Sequence, residues 1–433
     1  MRLHPLLFSC FAILLILPAT VFAQKKKASQ NSTEILPGAY QLNEYLPLLK
    51  NKRVAVFANH TATVGNTHLV DTLKAIGVNI VKAFGPEHGF RGNVDAGDKI
   101  DNGVDPSTGI PVISLYGKKR KPDGADLADV DVLIFDIQDV GTRFYTYISS
   151  LEEYIESAIQ HDKPLIVLDR PNPNGFYVDG PVLDSPYKSF VGMQPVPVVY
   201  GMTIGEYAKM LLGEAWLDKQ YIRKESDQIY MSNVLGFEKK RKQFKLTVIK
   251  CKNYTHKSKY RLPVKPSPNL PDMGSIYWYS STCYFEGTAL SEGRGTEKPF
   301  QIFGHPDLPK NMYAFTPISR DGAKEPKLKD KLCHGWNISG EEAAILKSVE
   351  EKGIQLDWLV EAYKLFPNKD QFFLKPKSGK PTDYFFNKLA GNDDLRQQLM
   401  AGKTAAEIKA SWQPDLQTFK QIRKKYLLYP DFE

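Results

Sequence analysis

Few features of this 433-residue sequence indicate a fibrous, disordered or membrane-spanning protein. Glycine (31) and proline (29) occur at ordinary frequencies and no low-complexity tract is present, which excludes collagen-like and linker-like chains. After residue 23 no stretch approaches the roughly 18 apolar residues that a transmembrane helix needs. Only four cysteines occur and none forms a CxxC pair, so the sequence predicts no disulfide framework.

The N-terminus has the pattern of a secretory signal peptide. Arg2 precedes a 12-residue apolar run at 6–17, and Val21-Phe22-Ala23 places small residues at the outer positions of a cleavage site. We therefore predict a signal peptide over 1–23, a flexible lead-in over 24–36, and an exported, periplasmic chain with no stable membrane insertion after cleavage. Because Arg2 is the only charge lost, the net charge of +8 becomes +7, which suits an anionic envelope glycan or solubility alone.

Short apolar runs rich in valine and isoleucine alternate with helical patterns in the first half of the chain. Runs of this length are typical of strands that are buried on both faces of a parallel sheet. The predicted strands are Arg53–Ala58, Asn79–Phe84, Pro111–Leu115, Asp131–Asp136 and Pro164–Leu168, and the predicted helices are Leu69–Ile76, Tyr147–Gln160 and Thr203–Leu217. The alternation predicts an α/β fold with a doubly wound domain over about 37–245.

The second half of the chain has a different pattern. The charged segment 218–243 is predicted to be a helix-poor connection, and Lys245–Lys250 is predicted to be a strand. The segment Leu262–Pro271 is predicted to be irregular, because proline lacks the N–H that a sheet ladder requires. A second unit follows, with predicted helices at Gly340–Glu351, Tyr384–Ala390 and Pro414–Lys425.

Four of the five predicted parallel strands end in polar side chains. Such ends share one edge of an open parallel sheet, where ligands bind, so we predict a functional site there. The candidates are Asn59 and His60 after the first strand, Glu87, His88 and Arg91 after the second, Asp136, Gln138, Asp139 and Arg143 after the fourth, and Asp169 and Asn172 after the fifth.

Purely structural roles explain several of these residues equally well. These roles are turn formation for Asp169 and Asn172, capping for Asp136, and an ion pair with Asp139 for Arg143. Glu87 is less easily explained in this way, because it lies between Pro86 and the glycines Gly89 and Gly92 in a loop too short and irregular to need a carboxylate for solubility.

A second polar cluster follows an aromatic segment in the C-terminal half. Glu286, Glu292 and Arg294 lie within a few residues of three glycines, which suggests a loop that wraps around a ligand. The aromatic residues just before it (Trp278, Tyr279, Tyr284 and Phe285) have the chemistry to face a sugar ring, although core packing is the commoner role of such side chains.

Six long motifs resemble one known family. They are PEHGFRG (86–92), DIQDVGTRFYTY (136–147), LDRPNPNG (168–175), GMTIGE (201–206), PSPNLP (266–271) and EGTALSEGRGTEKPF (286–300). Their order and content resemble the NamZ/YbbC-like exo-β-N-acetylmuramidases, glycoside hydrolases of peptidoglycan recycling, from about residue 37 to the ending QIRKKYLLYP. The resemblance implies a Rossmann-like catalytic domain (37–245) and a smaller α/β C-terminal auxiliary domain (246–433) that closes the cleft.

The resemblance also implies a reaction and assigns roles to residues. The glutamate of the PEHG motif, Glu87, is the candidate catalytic acid in release of N-acetylmuramic acid from non-reducing ends of peptidoglycan fragments. Glycoside hydrolysis commonly needs a second group, for which Asp136, Asp139 and Glu286 remain unranked. Candidates for binding the lactyl carboxylate or the hydroxyls of a muramyl saccharide are Arg91, Arg143, Arg294, His60 and His88. No cofactor or metal is implied.

Two other functions are compatible with the same residues. A metal-dependent hydrolase of envelope glycans would use His60, His88, Asp136, Asp139 and Asp169, although no compact HxH or HExxH spacing occurs. A non-catalytic glycan-binding protein would explain the basic balance and the aromatic loops. Nucleic-acid binding has little support, because no dense lysine and arginine stripe is present.

Overall fold

The structure, a computed structural model, describes residues 33–86, 89–92, 102–217 and 228–433. The predicted signal peptide over 1–23 and the predicted site residues Glu87 and His88 lie outside the described residues. Leu36 forms a backbone bridge with Lys252, so the folded body begins within the last residues of the predicted lead-in.

A seven-stranded sheet forms the centre of the fold. The strands of the first part of the chain are β1 Val54–Ala58, β2 Thr63–Val64, β3 Thr67–His68, β4 Ile80–Gly85, β5 Gly103–Val104, β6 Pro111–Ser114, β7 Val132–Asp136, β8 Leu165–Leu168 and β9 Leu246–Ile249. The central sheet has the order β5-β6-β4-β1-β7-β8-β9, and β2 and β3 form a separate hairpin. Its strands run parallel, except that β5 pairs antiparallel with β6 at one edge.

Helices cover both faces of this sheet. They are α1 Leu42–Leu49, α2 Leu69–Ala75, α3 Gly124–Leu127, α4 Tyr147–Gln160, α5 Ile204–Gly213 and α6 Gln228–Gln243. Alternate residues of β1 enter opposite core layers, Ala55 and Phe57 one and Val54 and Val56 the other. Because both faces are buried, the strands have continuous apolar sequences, and the predicted doubly wound α/β fold is confirmed.

The C-terminal part contains a small antiparallel sheet and eight helices in its described chain. The sheet has the order β10-β12-β11, with β10 Ile302–His305, β11 Tyr313–Phe315 and β12 Cys333–Asn337. The helices are α7 Met273–Thr282, α8 Glu342–Lys352, α9 Asp357–Leu365, α10 Lys369–Phe372, α11 Phe385–Ala390, α12 Asp394–Met400, α13 Ala405–Ser411 and α14 Gln413–Lys424. Every residue of α7 is buried, so it lacks the polar face by which an amphipathic helix is recognised in a sequence.

One sequence prediction is wrong. The segment predicted as a helix-poor connection contains α6 at Gln228–Gln243, whereas 218–227 lies outside the described residues. Phe237 anchors this helix, because its side chain is buried in the core layer beneath the sheet. A charged sequence does not reveal such a tertiary contact.

The central sheet and the core layer on one of its faces include residues from both of the predicted domains. Strand β9 at Leu246–Ile249 pairs with β8, so the sheet extends beyond residue 245. Near the C-terminus, Phe419 of α14 enters the core layer on one face of the sheet. The Tyr429 hydroxyl donates to Asp169 at 2.5 Å and accepts from the Cys251 N–H at 2.8 Å, which ties the end of the chain to β8 and β9.

Two further predictions concern cysteine and membranes. Cys251, Cys283 and Cys333 are buried free thiols, so packing rather than disulfides stabilises this part of the protein. In the described ranges, no helix has the length and apolar character needed to cross a bilayer.

Candidate active site

A cavity of about 180 Å³ lies between the loop that follows β7 and the segment that follows α7. The first segment belongs to the carboxyl edge of the sheet, which is where the sequence predicted the site. We call this the site cavity. It is lined by Phe144, Tyr145, Thr146, Tyr147, Val191, Ser267, Asn269, Leu270, Tyr279, Glu286, Arg294 and Phe300.

An ion pair provides the charge in the site cavity. The Arg294 guanidinium lies 2.7 Å from Glu286 and 3.4 Å from Glu292, which is almost fully buried. Burial alone would lower the pKa of Arg294, but Glu286 and Glu292 raise it above its ordinary value. The arginine is therefore a permanent cation at the wall of the cavity.

Lys327 fixes the backbone of the segment that contributes this pair. Its ammonium donates to the carbonyls of Phe285, Glu286, Thr288 and Leu290 at 2.7–3.3 Å and lies 3.1 Å from Glu292. Burial by itself would raise the pKa of Glu292, but Lys327 and Arg294 together lower it. Glu292 is thus an ionised carboxylate shared by two cations behind the cavity wall.

Aromatic side chains form much of the remaining wall. The Tyr145 hydroxyl donates to the Pro266 carbonyl at 2.7 Å, and the Asn59 amide donates to the Tyr147 hydroxyl at 2.7 Å. Asn59 therefore supports a cavity residue from behind and is itself fully buried. Aromatic faces backed by polar groups suit a sugar ring, which has apolar faces and polar edges.

His60 connects the loop after β1 to the irregular proline-rich segment. Its Nε2 lies 2.8 Å from the carbonyl of Lys265, two residues before the cavity residue Ser267. A Cβ added to Gly92 would lie 2.6 Å from the His60 ring, so the described end of the PEHGFRG loop packs closely on this histidine. His60 thus lies between the described end of this loop and the segment that forms one wall of the site cavity.

Asp136 forms a buried ion pair instead of facing the cavity. Both of its carboxylate oxygens accept from Arg170, at 2.5 and 2.9 Å, and both side chains are almost fully buried. A paired arginine satisfies a carboxylate at the end of a strand without any ligand. Asp136 is therefore not brought together with Glu286.

Asp139 has an unusual environment near the cavity but does not line it. Its Oδ2 accepts from the Tyr200 hydroxyl and, at 2.7 Å, from the Gly141 N–H, whereas the buried Oδ1 has no partner within the described chain. Burial raises the pKa of Asp139 to about 7, although both donors oppose the shift. The proposed ion pair between Asp139 and Arg143 does not form.

The two predicted site residues after β8, Asp169 and Asn172, form hydrogen bonds with residues at and just before the start of α5. The Asp169 carboxylate accepts from the Gly205 N–H and the Thr203 hydroxyl at the start of α5. The Asn172 amide donates to the Met202 carbonyl at 2.8 Å. Each side chain also accepts from a backbone N–H within its own turn, Asp169 from Arg170 and Asn172 from Asn174, which agrees with the turn explanation; the contacts with the start of α5 were not predicted.

Gly141 explains part of the DIQDVGTR motif. Its φ is +79°, and a Cβ on it would lie 2.1 Å from the Asn172 Oδ1. Only glycine fits there, so the loops after β7 and β8 pack tightly together. Gln138 adds to this contact by donating to the carbonyls of Asp139 and Pro171, each at 2.8 Å.

Of the three predicted carboxylate-binding arginines, only Arg294 lines the site cavity. Arg91 is held between Asp71 and Asp105 at 2.6–2.9 Å. Arg143 is fully buried, and its guanidinium donates to the carbonyls of Pro181, Val196, Leu389 and Ala390 at 2.6–2.9 Å. Arg91 and Arg143 thus have structural partners in place of the predicted ligand.

Sequence reasoning missed several cavity residues. Tyr145, Tyr147, Ser267 and Asn269 lie within motifs that were noted for their resemblance, but these four residues were given no role. The signal was available, because an irregular segment with small polar residues next to prolines exposes side chains for contact.

The described residues contain no group of three or more histidine, cysteine and acidic side chains that is placed to hold a metal ion. Of the proposed metal ligands, Asp136 binds Arg170, His60 faces a backbone carbonyl and Asp169 caps α5. These three side chains do not converge on one point.

The fold and the cavity together define an α/β enzyme whose site carries carboxylates, an arginine and aromatic side chains, the groups used by enzymes that act on carbohydrates. The family description "Exo-beta-N-acetylmuramidase NamZ, N-terminal" matches residues 54–274, and its C-terminal counterpart matches residues 277–429. The chain belongs to this family of glycoside hydrolases. The resemblance recognised from the motifs is thereby confirmed.

Relatives of known sequence and structure agree with this assignment. The chain is 36% identical over 427 residues to the peptidoglycan beta-N-acetylmuramidase NamZ of Bacillus subtilis strain 168, covering 94% of this chain and 92% of the relative. It also resembles two crystal structures of DUF1343 family proteins from Bacteroides fragilis. The first has 47% identity and a TM-score of 0.78, covering 92% of this chain and 99% of its own, and the second has 29% identity and a TM-score of 0.69, covering 91% and 99%.

Proposed function

We propose that the protein is an exo-acting β-N-acetylmuramidase that releases N-acetylmuramic acid from the non-reducing ends of peptidoglycan fragments. The main support is the site cavity, in which aromatic walls surround the Glu286–Arg294 pair. The Bacillus subtilis relative carries the name of this activity and aligns with nearly the whole chain. We further propose export to the periplasm, on the basis of the N-terminal sequence.

Glu87 is the proposed general acid. It belongs to the PEHGFRG motif, whose last residue, Gly92, packs on His60, and His60 in turn lies 2.8 Å from the carbonyl of Lys265, near the cavity wall. A general acid must hold its proton near neutral pH and deliver it to the oxygen of the leaving sugar.

Glu286 is the proposed second carboxylate. It lines the site cavity, whereas Asp136 is occupied by Arg170 and Asp139 by Tyr200 and Gly141. A carboxylate at the wall of the cavity is placed to stabilise positive charge on the sugar or to orient water. On this basis we propose Glu286 ahead of Asp136 and Asp139, which the sequence left unranked.

Arg294 is the proposed anchor for the sugar. Muramic acid differs from glucosamine by a lactyl group with a carboxylate, and guanidinium groups bind carboxylates through paired hydrogen bonds. Glu286 accepts from the Nη2 of Arg294, and no bond of its Nη1 is found among the described residues. The proposed recognition uses that nitrogen.

The test is hydrolysis of the disaccharide N-acetylmuramyl-β-1,4-N-acetylglucosamine and of 4-nitrophenyl β-N-acetylmuramide by the purified mature chain. Glu87→Gln should lower kcat on the disaccharide by roughly 10²–10⁴ and much less on the nitrophenyl substrate, whose leaving group needs little protonation. Glu286→Gln should slow both substrates. Glu351→Gln, on the exposed surface of α8, is the matched control.

Two results would contradict the proposal. Equal losses on both substrates would remove Glu87 from the general-acid role. No turnover of either muramide by the wild type, together with saturable binding of the disaccharide, would favour a glycan-binding protein. The same assays with EDTA test for a metal-dependent hydrolase, because the chelator would abolish the turnover of such an enzyme.

A further inference from the structure

A second cavity, of about 320 Å³, is lined in part by the helix that contributes to the site cavity, and it plays no part in the proposed reaction. Helix α4 contributes Tyr147 to the site cavity and Glu153 to the second cavity. The loop around residue 190 likewise contributes Val191 to the first and Phe190 to the second. Along the axis of α4, Tyr147 and Glu153 are roughly 9 Å apart.

One wall of the second cavity is acidic. Glu152, Glu153 and Glu156 all come from α4, and Glu156 and Glu153 lie 3.0 and 3.9 Å from the ammonium of Lys121. Glu152 is only 2% exposed. Its Oε1 accepts from the Gln194 amide, whereas its Oε2 has no hydrogen-bond partner in the part of the chain that the structure describes.

These carboxylates repel each other. Burial, followed by the charge of Glu156, raises the pKa of Glu152 to about 8, and the same two causes raise the pKa of Glu153. The Oε1 of Gln194 is also buried and without a partner among the described side chains and backbone. Unsatisfied buried acceptors are rare in proteins, and a ligand with N–H donors would satisfy them.

The lining of the second cavity also includes cationic and aromatic side chains. The Arg120 guanidinium lies over the Phe190 ring at 3.8 Å and forms no ion pair with the described residues. Lys188 adds a second positive charge and Trp216 an apolar surface. Stacking holds a guanidinium in place while its edge remains able to bind a carboxylate.

We propose that the second cavity binds the zwitterionic end of a peptide, with the peptide's ammonium group at Glu152 and Glu153 and its carboxylate at Arg120. This inference rests on the proposed function. The terminal muramic acid in the site cavity keeps its lactyl carboxylate free for Arg294. The bound peptide is therefore carried by the next muramic acid along the same glycan.

The probes are the tripeptide Nα-acetyl-L-alanyl-γ-D-glutamyl-L-lysine and the same peptide acetylated on the lysine side chain. Calorimetric titration of the wild type should show saturable binding of the first peptide and at least about tenfold weaker binding of the second, because a charge-assisted hydrogen bond is lost. Glu153→Gln and Arg120→Met should each weaken binding of the first peptide by a similar factor, whereas Glu351→Gln should not.

The same variants separate this inference from the proposed function. Glu153→Gln and Arg120→Met should leave kcat/KM for the peptide-free 4-nitrophenyl muramide unchanged. In the wild type, a tetrasaccharide with a peptide on its inner muramic acid should have a higher kcat/KM than the same glycan without the peptide. Both variants should abolish this difference. Equal binding of the two peptides, or binding that survives both substitutions, overturns the inference. Peptide binding without muramide turnover would overturn the proposed function instead and leave the peptide site standing.

Discussion

The ammonium of Lys327 lies 3.1 Å from the buried carboxylate of Glu292. The same ammonium donates to four backbone carbonyls between Phe285 and Leu290. One side chain therefore fixes both the charge and the backbone of the segment that places Glu286 in the site cavity. Because Glu292 also lies near Arg294, the position of the Glu286–Arg294 ion pair depends on a lysine outside the cavity.

Replacing Lys327 with methionine should destabilise the protein and impair catalysis. The change leaves the carbonyls and Glu292 without their donor, which should lower the free energy of unfolding by about 2–3 kcal/mol. It should also lower kcat for the muramide, because Glu286 loses its fixed position. Urea denaturation and steady-state kinetics measure the two effects. Lys329→Met, which removes only an ion pair with the exposed Glu325, should change neither.

The strands of the central sheet were easier to predict from the sequence than two of the helices, α6 and α7. The buried strands of the central sheet have unbroken apolar runs, so β1, β4, β6, β7 and β8 were predicted with small errors at their ends. Helix α7 is buried on every side and α6 is charged along much of its length. Neither has an apolar stripe on one face, so neither was predicted.

The candidate site was predicted only in part, because residue type does not reveal the partner. Asp136 and Asp169 have the composition and position of ligand-binding carboxylates, yet one meets Arg170 and the other caps α5. Those contacts join residues about 34 positions apart, which no local pattern encodes. Glu286 and Arg294 were recognised because their partners lie within the same glycine-rich segment.

Arg143 should matter for stability, in contrast to its predicted role in binding substrate. Its guanidinium satisfies four buried carbonyls from two distant parts of the chain. Arg143→Met should therefore lower the free energy of unfolding by about 3–5 kcal/mol, and Arg143→Lys should recover little of it, because an ammonium cannot reach all four acceptors. An unchanged midpoint in urea, combined with weaker substrate binding, would restore Arg143 to the site.

The buried carboxyl of Asp139 should make stability depend on pH. Its pKa is about 7 in the folded protein against an ordinary value of 3.8, so between these values the folded state binds more protons than the unfolded state. The stabilising contribution of Asp139 to the free energy of unfolding is fully present below about pH 4. It is lost as the pH rises through 7, at up to about 1.4 kcal/mol per pH unit.

Asp139→Asn isolates this effect, because asparagine has the same shape but does not titrate. Asp169 and Glu152 also have raised pKa values, about 6 and 8. Their effect on the pH dependence of the unfolding free energy is the same in the wild type and in the variant, so it cancels in the difference. The difference in unfolding free energy between variant and wild type should therefore shift in favour of the variant from pH 4 to pH 8. Parallel pH profiles of the two proteins would show that Asp139 is ionised at neutral pH.

Arg294 should determine the preference for muramic acid over glucosamine. Arg294→Gln removes the cation that is proposed to bind the lactyl carboxylate, so kcat/KM for 4-nitrophenyl β-N-acetylmuramide should fall by about tenfold to a hundredfold, in line with one charge-assisted hydrogen-bonded contact. Any slow turnover of the matching glucosaminide, which lacks the lactyl group, should be affected far less. Arg294→Lys should recover part of the muramide rate, because it keeps the charge but loses the paired geometry. Arg320→Gln, at an exposed position, is the control, and an equal fall for both sugars in Arg294→Gln would assign Arg294 to holding Glu286 instead of recognising the substrate.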